Sequence, residues 1–409
     1  MTALLPVDQA VARVVAGVAP LETETVPLAE AAGRTLAEPL TARRTQPPFP
    51  ASAMDGYAVR AVDIATPPAT LRVIAASLAG KGFAGSVGPG EAVRIFTGAP
   101  VPDGADAVLI QENTEVPEQG TVVAKAAVAP GRNIRPAGFD FRAGDRLLDA
   151  GRVLAAREIA IAAAMGYGAV RVRRRPRIAI ISTGDELVPP GSEPGPDQIV
   201  ASNGPGIAAF ASALGAEPHD LGIVPDDRAA LVDAVDRAIA LPADILVTLG
   251  GASVGDHDLV AAALSDRNMT LDFWRIAMRP GKPLIFGRIA RRAGEADLRV
   301  LGLPGNPVSS LVCAILFLRP LVGAFLGRPA EDPTEPAILA VDVPANDMRQ
   351  DYVRATMMKQ AESLPRVTSL PVQDSSGLAV LAAADCLLVR PPEAPAAKAG
   401  DPCRIIRLR

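Results

Sequence analysis

Residues 178–186, Ile178-Ala179-Ile180-Ile181-Ser182-Thr183-Gly184-Asp185-Glu186, decide the fold, because a short apolar run passes directly into a glycine turn that carries two acids. Two later apolar runs end in the same way, 245–249 in Gly250-Gly251 and 301–303 in Pro304-Gly305. Apolar runs that end in such turns and lead into helical patterns are typical of an open α/β sheet. Ligands of these sheets bind outside the carboxyl ends of the strands. The sequence therefore predicts an α/β domain with a site at the turns.

Strand and helix patterns alternate from residue 178 to about 325, which indicates an α/β domain of that length. The predicted strands are 178–181, 217–224, 245–249, 284–288 and 299–302, and the predicted helices are 203–214, 227–239, 257–264 and 309–317.

The segments on either side have different patterns. Residues 8–18 and 153–165 predict helices, and 168–173 a strand. The segment from about 51 to 140 predicts a β-rich module, and the tail after residue 328 predicts a small β-barrel or sandwich. The predicted strands are 57–59, 71–75, 92–95, 107–111 and 121–124 in the module, and 337–343, 351–357, 380–382 and 386–390 in the tail.

Composition narrows the class of protein. A chain of 409 residues is too long for one ordinary core, and 49% hydrophobic and 21% charged residues are typical of a globular protein of two to four domains. The net charge of −4 gives no reason to expect a nucleic acid or a membrane as partner. The N-terminus lacks the pattern of a signal peptide. Three cysteines without a disulfide pattern fit a reducing compartment, so we expect a cytoplasmic protein. The apolar stretch 308–326 is interrupted by Arg319-Pro320, so we expect a buried helix.

Two residue types are too scarce for certain mechanisms. His219 and His257 are the only histidines, which excludes a mechanism built on several histidines. The three cysteines, Cys313, Cys386 and Cys403, are widely spaced and odd in number, which argues against a disulfide framework and a zinc site.

Acids cluster near the predicted strand ends and suggest a divalent metal. Mg²⁺ prefers oxygen ligands and takes one or two carboxylates together with substrate phosphates and waters. We therefore expect magnesium on a phosphorylated ligand. Asp226 and Asp227 have an alternative role as the N-cap of the helix at 227. The candidate acids are Asp185, Glu186, Asp226, Asp227, Asp256 and Asp258.

Helix starts and a cationic turn could bind anions. Ser202-Asn203-Gly204-Pro205 opens a helix, where free amides either form an anion site or are simply capped. Pro304-Gly305-Asn306-Pro307 is a rigid turn before a helix and either approaches a ligand or only separates strand from helix. In Arg279-Pro280-Gly281-Lys282-Pro283, two cations on a constrained turn could clamp a phosphate or another tetrahedral oxyanion, although surface charge is the usual role of a lone lysine.

The β-rich module has glycine-punctuated polar turns of its own. Ser52-Ala53-Met54-Asp55-Gly56-Tyr57 and Phe96-Thr97-Gly98-Ala99 could be hairpin turns or parts of a site, and Asp140 is equally ambiguous.

Taken together, these strings resemble the molybdopterin molybdenumtransferases, the enzymes of the last step of molybdenum cofactor synthesis. Any one string is weak, but their joint order over residues 48 to 307 is specific. The matching strings are Pro48-Phe49-Pro50-Ala51-Ser52-Ala53-Met54-Asp55-Gly56-Tyr57-Ala58-Val59, Arg94-Ile95-Phe96-Thr97-Gly98-Ala99, Arg132-Asn133-Ile134-Arg135-Pro136-Ala137-Gly138, Ser182-Thr183-Gly184-Asp185-Glu186-Leu187, Gly250-Gly251-Ala252-Ser253-Val254-Gly255, Arg279-Pro280-Gly281-Lys282-Pro283 and Leu303-Pro304-Gly305-Asn306-Pro307.

The resemblance implies a multi-domain α/β plus β chain. Its parts would be a linking domain (1–46 and 141–172), a β-rich lid module (47–140), a central molybdopterin-binding α/β domain (173–327) and a C-terminal β domain, barrel-like, at 328–409. It also implies a homodimer with a cleft between subunits. The implied reaction takes adenylylated molybdopterin and molybdate, cleaves the pyrophosphate link with Mg²⁺, releases AMP and leaves molybdenum on the dithiolene sulfurs.

The resemblance also implies roles for individual residues. The implied catalytic residues are Asp55, Thr97, Asp140, Glu186 and Asp258, and the implied metal ligands are Glu186, Asp227, Asp256 and Asp258. The predicted substrate-binding residues are Thr183, Gly184, Asp185, Ser202, Asn203, Gly250, Gly251, Ser253, Arg279, Lys282, Pro304, Gly305, Asn306 and Ser376. Arg349 could join Ser376 in the C-terminal loop, and we expect that Ser376 and the lid cannot easily reach the α/β rim of their own chain.

The sequence departs from the family at a few positions. Arg275 and Arg279 stand where many relatives would carry lysine, which keeps the charge but changes the hydrogen-bond geometry. Ser375-Ser376-Gly377 lacks the expected Gly-Ser-Gly form.

Two other functions remain open from the sequence. One is the related adenylyltransferase, which would need only about residues 175–325, and the other is a pterin-binding scaffold without turnover. The chain has no Gly-x-x-x-x-Gly-Lys-[Ser/Thr] motif, so ATP is not the expected energy source.

Overall fold

A computed structural model describes residues 4–251, 259–291, 295–360 and 363–408. The chain forms two compact units. The larger unit comprises Met1–Glu24, Gly33–Ala37 and Arg171–Arg409, and the smaller unit comprises Thr25–Ala32 and Glu38–Val170. The division into four domains stays a prediction.

A mixed sheet forms the centre of the larger unit. The first four strands in the order below are parallel, and the last two pairings are antiparallel. The predicted strands 217–224 and 245–249 are confirmed with the same bounds. The strand at 269–275 was not predicted. The order is Glu217–Val224, Arg177–Thr183, Ile245–Leu249, Leu298–Leu303, Pro283–Ile289 and Met269–Arg275.

Both faces of this sheet are covered, which is why its central strands are apolar along their whole length. Ile178 and Ile180 point into a core shared with the helical run 307–325, whereas Ala179 and Ile181 point into a second core. The second core packs against the helices Arg228–Ala240 and Leu259–Asp266. Helices therefore cover both faces, and the predicted α/β class is confirmed. The other helices of this part are Val7–Val15 and Asn203–Ala213, and a short strand pair joins Leu187–Val188 to Ile199–Val200.

The apolar stretch at 308–326 is a buried helical run, as predicted. It comprises Pro307–Cys313, a π-helical turn at Ala314–Leu318 and Arg319–Phe325. Pro320 has no N–H to donate to the preceding turn, and a wider turn directly precedes it. By length and composition this run could cross a membrane, but 72% of its most apolar window is buried inside the protein, as in the core helix of a globular domain.

The C-terminal tail is a barrel rather than a sandwich. Neighbouring strands pair around the ring, and the pairing of Cys386–Arg390 with Gln350–Met358 closes it. The predicted strand at 380–382 is wrong, because these residues lie in the helix Leu378–Ala383. Short alanine-rich apolar runs do not separate helix from strand by pattern alone. The ring order is Gln350–Met358, Arg366–Ser369, Thr334–Leu339, Pro402–Arg407 and Cys386–Arg390.

The smaller unit is β-rich, as predicted. Its main sheet has its own apolar cores on the two faces. Two short antiparallel pairs, Ala51–Ser52 with Ile134–Arg135 and Leu40–Thr41 with Arg146–Leu148, lie outside that sheet, and the helix Ala156–Ala164 follows. The strand order of the main sheet is Ala107–Ile110, Gly56–Val59, Glu91–Ile95, Ala69–Ser77, Thr121–Ala124 and Thr114–Glu115.

Phe286 tests the core of the larger unit. Its side chain is 2% exposed, and its ring lies 5.4 Å from that of Phe273. Phe286→Ala removes this buried volume, so we expect the free energy of unfolding to fall by about 3–5 kcal/mol. Urea unfolding followed by the fluorescence of Trp274, the only tryptophan of the chain, measures the change. Leu271→Ala, at a side chain that is 51% exposed, is the control and should cost less than about 0.5 kcal/mol.

Candidate functional site

A cavity of about 830 Å³ lies at the carboxyl ends of the parallel strands of the larger unit. We call it the main cavity. Many of the predicted substrate-binding residues line it together, although they come from separate turns. Its polar and glycine-turn lining comprises Ser182, Thr183, Gly184, Glu186, Ser202, Asn203, Asp226, Gly250, Gly251, Pro304, Gly305, Asn306 and Ser376.

The glycines of the floor are required by close packing. Gly250 and Gly251 have φ angles of 100° and 62°, which side chains rarely adopt. A Cβ at Gly250 would lie 2.8 Å from the carbonyl oxygen of Thr183, and one at Gly251 would lie 2.1 Å from Cγ2 of Val260. The turn can therefore lie against the neighbouring strand end only without side chains, which leaves backbone groups facing the cavity.

Two asparagines hold the turns of the main cavity together. Asn203 Nδ2 donates to the carbonyl oxygen of Gly305 at 2.7 Å, and Asn306 Nδ2 donates to Ser375 Oγ at 3.1 Å. The backbone N–H of Val308 also donates to the carbonyl oxygen of Ser375 at 3.1 Å. These bonds bring the barrel loop to the rim, so Ser376 lines the cavity of its own chain. The expectation that Ser376 cannot easily reach this rim was wrong.

Three acids lie close together and repel one another, and two of them, Glu186 and Asp226, line the main cavity. Asp185 accepts a hydrogen bond from the backbone N–H of Asp226 at 3.0 Å, and the carboxylate of Glu186 folds back over Gly184. Burial, and then the charges of Asp185 and Glu186, raise the pKa of Asp226 above its usual value. A cation would relieve this repulsion. Asp185 itself does not line the cavity.

The other predicted metal ligands are placed differently. Asp227 is the N-cap of the helix Arg228–Ala240, and its carboxylate accepts from the backbone N–H of Ala230 at 2.9 Å. Ser253, Asp256 and Asp258 lie outside the described residues. Within the described ranges, no group of three or more His, Cys, Asp or Glu side chains is arranged to hold a metal ion.

The basic turn, residues 279–283, lies between two cavities. Pro283 lines the main cavity, whereas Arg279 and Pro280 line a second cavity of about 360 Å³ beside the barrel. Arg279 forms an ion pair with Asp351, and the pKa of its guanidinium is raised by that carboxylate. Lys282 is exposed and has no carboxylate within salt-bridge distance among the residues described.

Arg354 is a candidate that the sequence analysis missed. It is 2% exposed, lines the second cavity, and donates from Nη2 to the carbonyl oxygen of Asp374 at 3.1 Å, beneath the loop of Ser376. Its Nε has no hydrogen-bond partner in the described part of the chain. Arg349, the sequence candidate, instead pairs with Asp347 at 2.9 Å. Arg354 stands between the apolar residues Val353 and Ala355, and this charge within a predicted strand was the available signal.

The lid candidates belong to the smaller unit. Thr97 donates to Asp55 Oδ1 from its backbone N–H at 2.8 Å and from its hydroxyl at 2.7 Å. These two bonds, and then the nearby Arg94, lower the pKa of Asp55 below its usual value. Asp55 is therefore held as a carboxylate by its turn. Asp140 is exposed, and its backbone N–H donates to the carbonyl oxygen of Gln46 at 3.0 Å.

Asp227 can be tested as a helix cap against its predicted role as a metal ligand. Replacement by alanine removes the acceptor for Ala230, so Asp227→Ala should lower the free energy of unfolding by about 1 kcal/mol, whereas Asp227→Ser should retain most of it. Urea unfolding measures both. Because serine caps but does not supply a carboxylate, a large loss of divalent-cation binding in Asp227→Ser would contradict the cap assignment.

Family models account for almost the whole chain. The MoeA N-terminal region (domain I and II) matches residues 5–166, a probable molybdopterin binding domain matches residues 179–324, and the MoeA C-terminal region (domain IV) matches residues 336–408.

Named relatives match over similar lengths. The molybdopterin molybdenumtransferase of Haemophilus influenzae is 34% identical over 93% of this chain and 93% of its own length. That of Bacillus subtilis is 33% identical over 99% of this chain and 94% of its own, and that of a Nostoc species is 42% identical over 74% and 69%.

Solved structures agree with the fold. A molybdopterin biosynthesis MoeA protein from Pyrococcus horikoshii superposes with a TM-score of 0.81 at 28% identity, covering 98% of this chain and 99% of that one. A second structure of such a protein gives 0.79 at 30% identity, with all of both chains covered.

Proposed function

The chain belongs to the molybdopterin molybdenumtransferase family, and from that premise we propose that its main cavity binds adenylylated molybdopterin and that the basic turn binds molybdate. The protein is a transferase of molybdenum cofactor biosynthesis and inserts molybdenum. The observation that carries the proposal is the convergence of the glycine turns, Glu186 and Ser376 on one cavity beside the basic turn.

The main cavity suits the phosphates of the nucleotide. Backbone N–H groups at glycine turns and helix starts favour anions. Asn203 lies at the start of a helix and is tied to Gly305, so two such turns face the cavity in a fixed arrangement. The volume of about 830 Å³ is within the range of pockets that hold ligands of this size.

The acids of the main cavity fit Mg²⁺. Glu186 and Asp226 would hold the ion, because both line the cavity. The pKa of Asp226 is raised by burial and then by the charges of Asp185 and Glu186, and a cation would offset those charges. One or two carboxylates are what Mg²⁺ takes when substrate phosphates complete its shell. A metal held by these residues would neutralise negative charge on the substrate phosphates.

The protein groups would orient the substrate and exclude water. The Asn306–Ser375 bond holds Ser376 over the cavity, and Ser376 itself is kept in place by two bonds to Asp374 Oδ1, one from its backbone N–H at 2.8 Å and one from its hydroxyl. A fixed geometry of this kind lowers the entropic cost of reaching the reactive arrangement.

Molybdate would bind on the basic turn. It is a tetrahedral dianion and needs cations when it leaves water. Lys282 carries an uncompensated charge among the residues described, and the buried Arg354 offers an unpaired Nε close to the loop of Ser376. A guanidinium supplies directed donors and an ammonium a point charge.

Glu186→Gln tests the acids. It keeps the shape of the side chain and removes its charge, so we expect AMP release from adenylylated molybdopterin to fall at least about tenfold, or about 1.4 kcal/mol, at saturating Mg²⁺. Stopped assays with and without molybdate measure it. Glu331→Gln, an exposed acid of the same unit, is the control. Turnover that survives in Glu186→Gln at the wild-type rate would rule out this role.

Lys282→Ala tests the basic turn. Loss of the Lys282 ammonium should raise the molybdate concentration for half-maximal AMP release far more than it weakens binding of the pterin nucleotide. Arg279→Lys, which retains the charge, should raise it less. The exposed Lys359→Ala is the matched control. If Lys282→Ala weakens pterin binding and leaves the molybdate requirement unmoved, the turn belongs to the phosphate site.

The same assay separates the alternatives. An adenylyltransferase would consume ATP to form the adenylylated pterin, and a scaffold would release no AMP. The homodimer and the cytoplasmic location stay predictions, as do the roles of Asp55, Thr97 and Asp140.

A further inference from the structure

The barrel holds the basic turn through its backbone. Met278 and Arg279 pair in parallel with Gln350 and Asp351, and the N–H of Gln350 donates to the carbonyl oxygen of Ala277 at 2.9 Å. This register sets Arg279 directly opposite Asp351. Their ion pair is therefore built into the strand pairing and does not depend on two long side chains meeting by chance.

Arg279 is surrounded by acceptors in this arrangement. Besides the pair with Asp351, its guanidinium lies 3.5 Å from Asp347 Oδ2 and 3.5 Å from Asn346 Oδ1. Asp347 is shared with Arg349, so Asp351 is the main partner. The side chain of Asp351 is only 9% exposed, so little water screens its attraction to Arg279.

The second cavity nevertheless has unsatisfied groups. Asp351 Oδ1 and Arg354 Nε are buried without a hydrogen-bond partner among the described residues, and both side chains line this cavity with Arg279. Buried polar groups are normally paired, so unpaired ones indicate a site that a small polar ligand or water completes. A volume of about 360 Å³ leaves room for a tetrahedral oxyanion next to Arg279 and Arg354.

We propose that Asp351 is an internal competitor for the oxyanion: its carboxylate holds Arg279, and an incoming molybdate must displace or share that contact. The inference rests on the proposed function, because it assigns a role at the proposed molybdate site. Asp351 acts through Arg279 and is thus a positioning residue that sets the affinity for the anion.

The ion pair between Arg279 and Asp351 gives the two cations of the basic turn different roles. Lys282 has no carboxylate partner in the described part of the chain and can attract the dianion. Arg279 is released only when the anion has arrived, since both carboxylate and oxyanion bind the same guanidinium. The free protein therefore keeps one strong cation site occupied, which weakens the binding of small monoanions that cannot displace a buried carboxylate.

Titration calorimetry of the full-length protein with sodium molybdate tests the proposal. Asp351→Asn keeps the shape and removes the competing charge, so we expect the dissociation constant to fall about twofold to fivefold, the equivalent of one ion pair of this exposure. Asp347→Asn, which removes the weaker contact, should shift it in the same direction by less. Asp332→Asn, an exposed acid of the same barrel that pairs with Arg404, is the charge-matched control.

The double variant decides whether Asp351 acts through Arg279. In an Arg279→Ala background Asp351→Asn should tighten binding clearly less than in the wild-type background, because the carboxylate has lost its main partner. A loss of packing would not produce tighter binding that depends on the presence of Arg279. Unchanged or weaker binding in Asp351→Asn alone overturns the proposal.

The outcomes also separate this proposal from the proposed function. If the wild type binds molybdate and Asp351→Asn binds it equally, the molybdate site stands and only the competitor is wrong. If neither protein binds molybdate, the assignment of the basic turn fails and the role of Asp351 fails with it. Binding that tightens in Asp351→Asn and is lost in Lys282→Ala supports both.

Discussion

The helical run Pro307–Phe325 is the constraint on which the larger unit depends. It packs in one continuous apolar core with the sheet strands, with the helix Val7–Val15, and with Tyr352, Leu387 and Ile406 from the barrel. Because this burial is shared, the α/β part and the barrel cannot separate without exposing the same apolar surface to water. The loops at the start of the helical run are therefore positioned by this shared apolar core.

That constraint reaches the site at two points. The run begins at Pro307, directly after Asn306, so the bond from Asn306 to Ser375 is anchored at the end of a buried helix. Further along the same helix, Cys313 packs beneath the basic turn, where a Cβ at Gly281 would lie 2.5 Å from the sulfur. The same helix thus positions the main cavity on one side and the basic turn on the other, and it leaves little freedom for either to move alone.

Charge is distributed unequally around this scaffold. Acids gather at the edge of the main cavity, where the pKa of Asp226 is raised, whereas Arg279, Lys282 and Arg354 lie on or beside the turn that faces the barrel. An ion of either sign placed at the wrong end would meet repulsion at short range. The acidic edge therefore favours a cation, and the side with the three cations favours an anion.

Local sequence determined the elements whose pattern is unambiguous. The strands 217–224 and 245–249 and the helix at 203 are bounded by glycine, proline and polar residues, so their limits followed from the chain alone. The edge strand Met269–Arg275 was missed because the polar residues Thr270 and Asp272 interrupt its apolar residues. Its first half is partly exposed, so the strand does not need a continuous apolar run. The helix at 378–383 was mistaken for a strand because six apolar residues fit either period.

The candidate site divides in the same way. Glycine turns after apolar runs identified Thr183, Gly250 and Gly305. A turn that needs a positive φ angle or a close backbone approach usually contains glycine, so it can be seen in the sequence. Which acid caps a helix and which faces the cavity was decided only by the tertiary structure, since Asp226 and Asp227 are neighbours and the fold turns one of them inward. Arg354 and Asp351 acquired their roles from the pairing of their strand with the basic turn, and Asp351 lies 72 positions from Arg279 along the chain. Long-range register of this kind depends on packing between distant segments, and no local pattern encodes it.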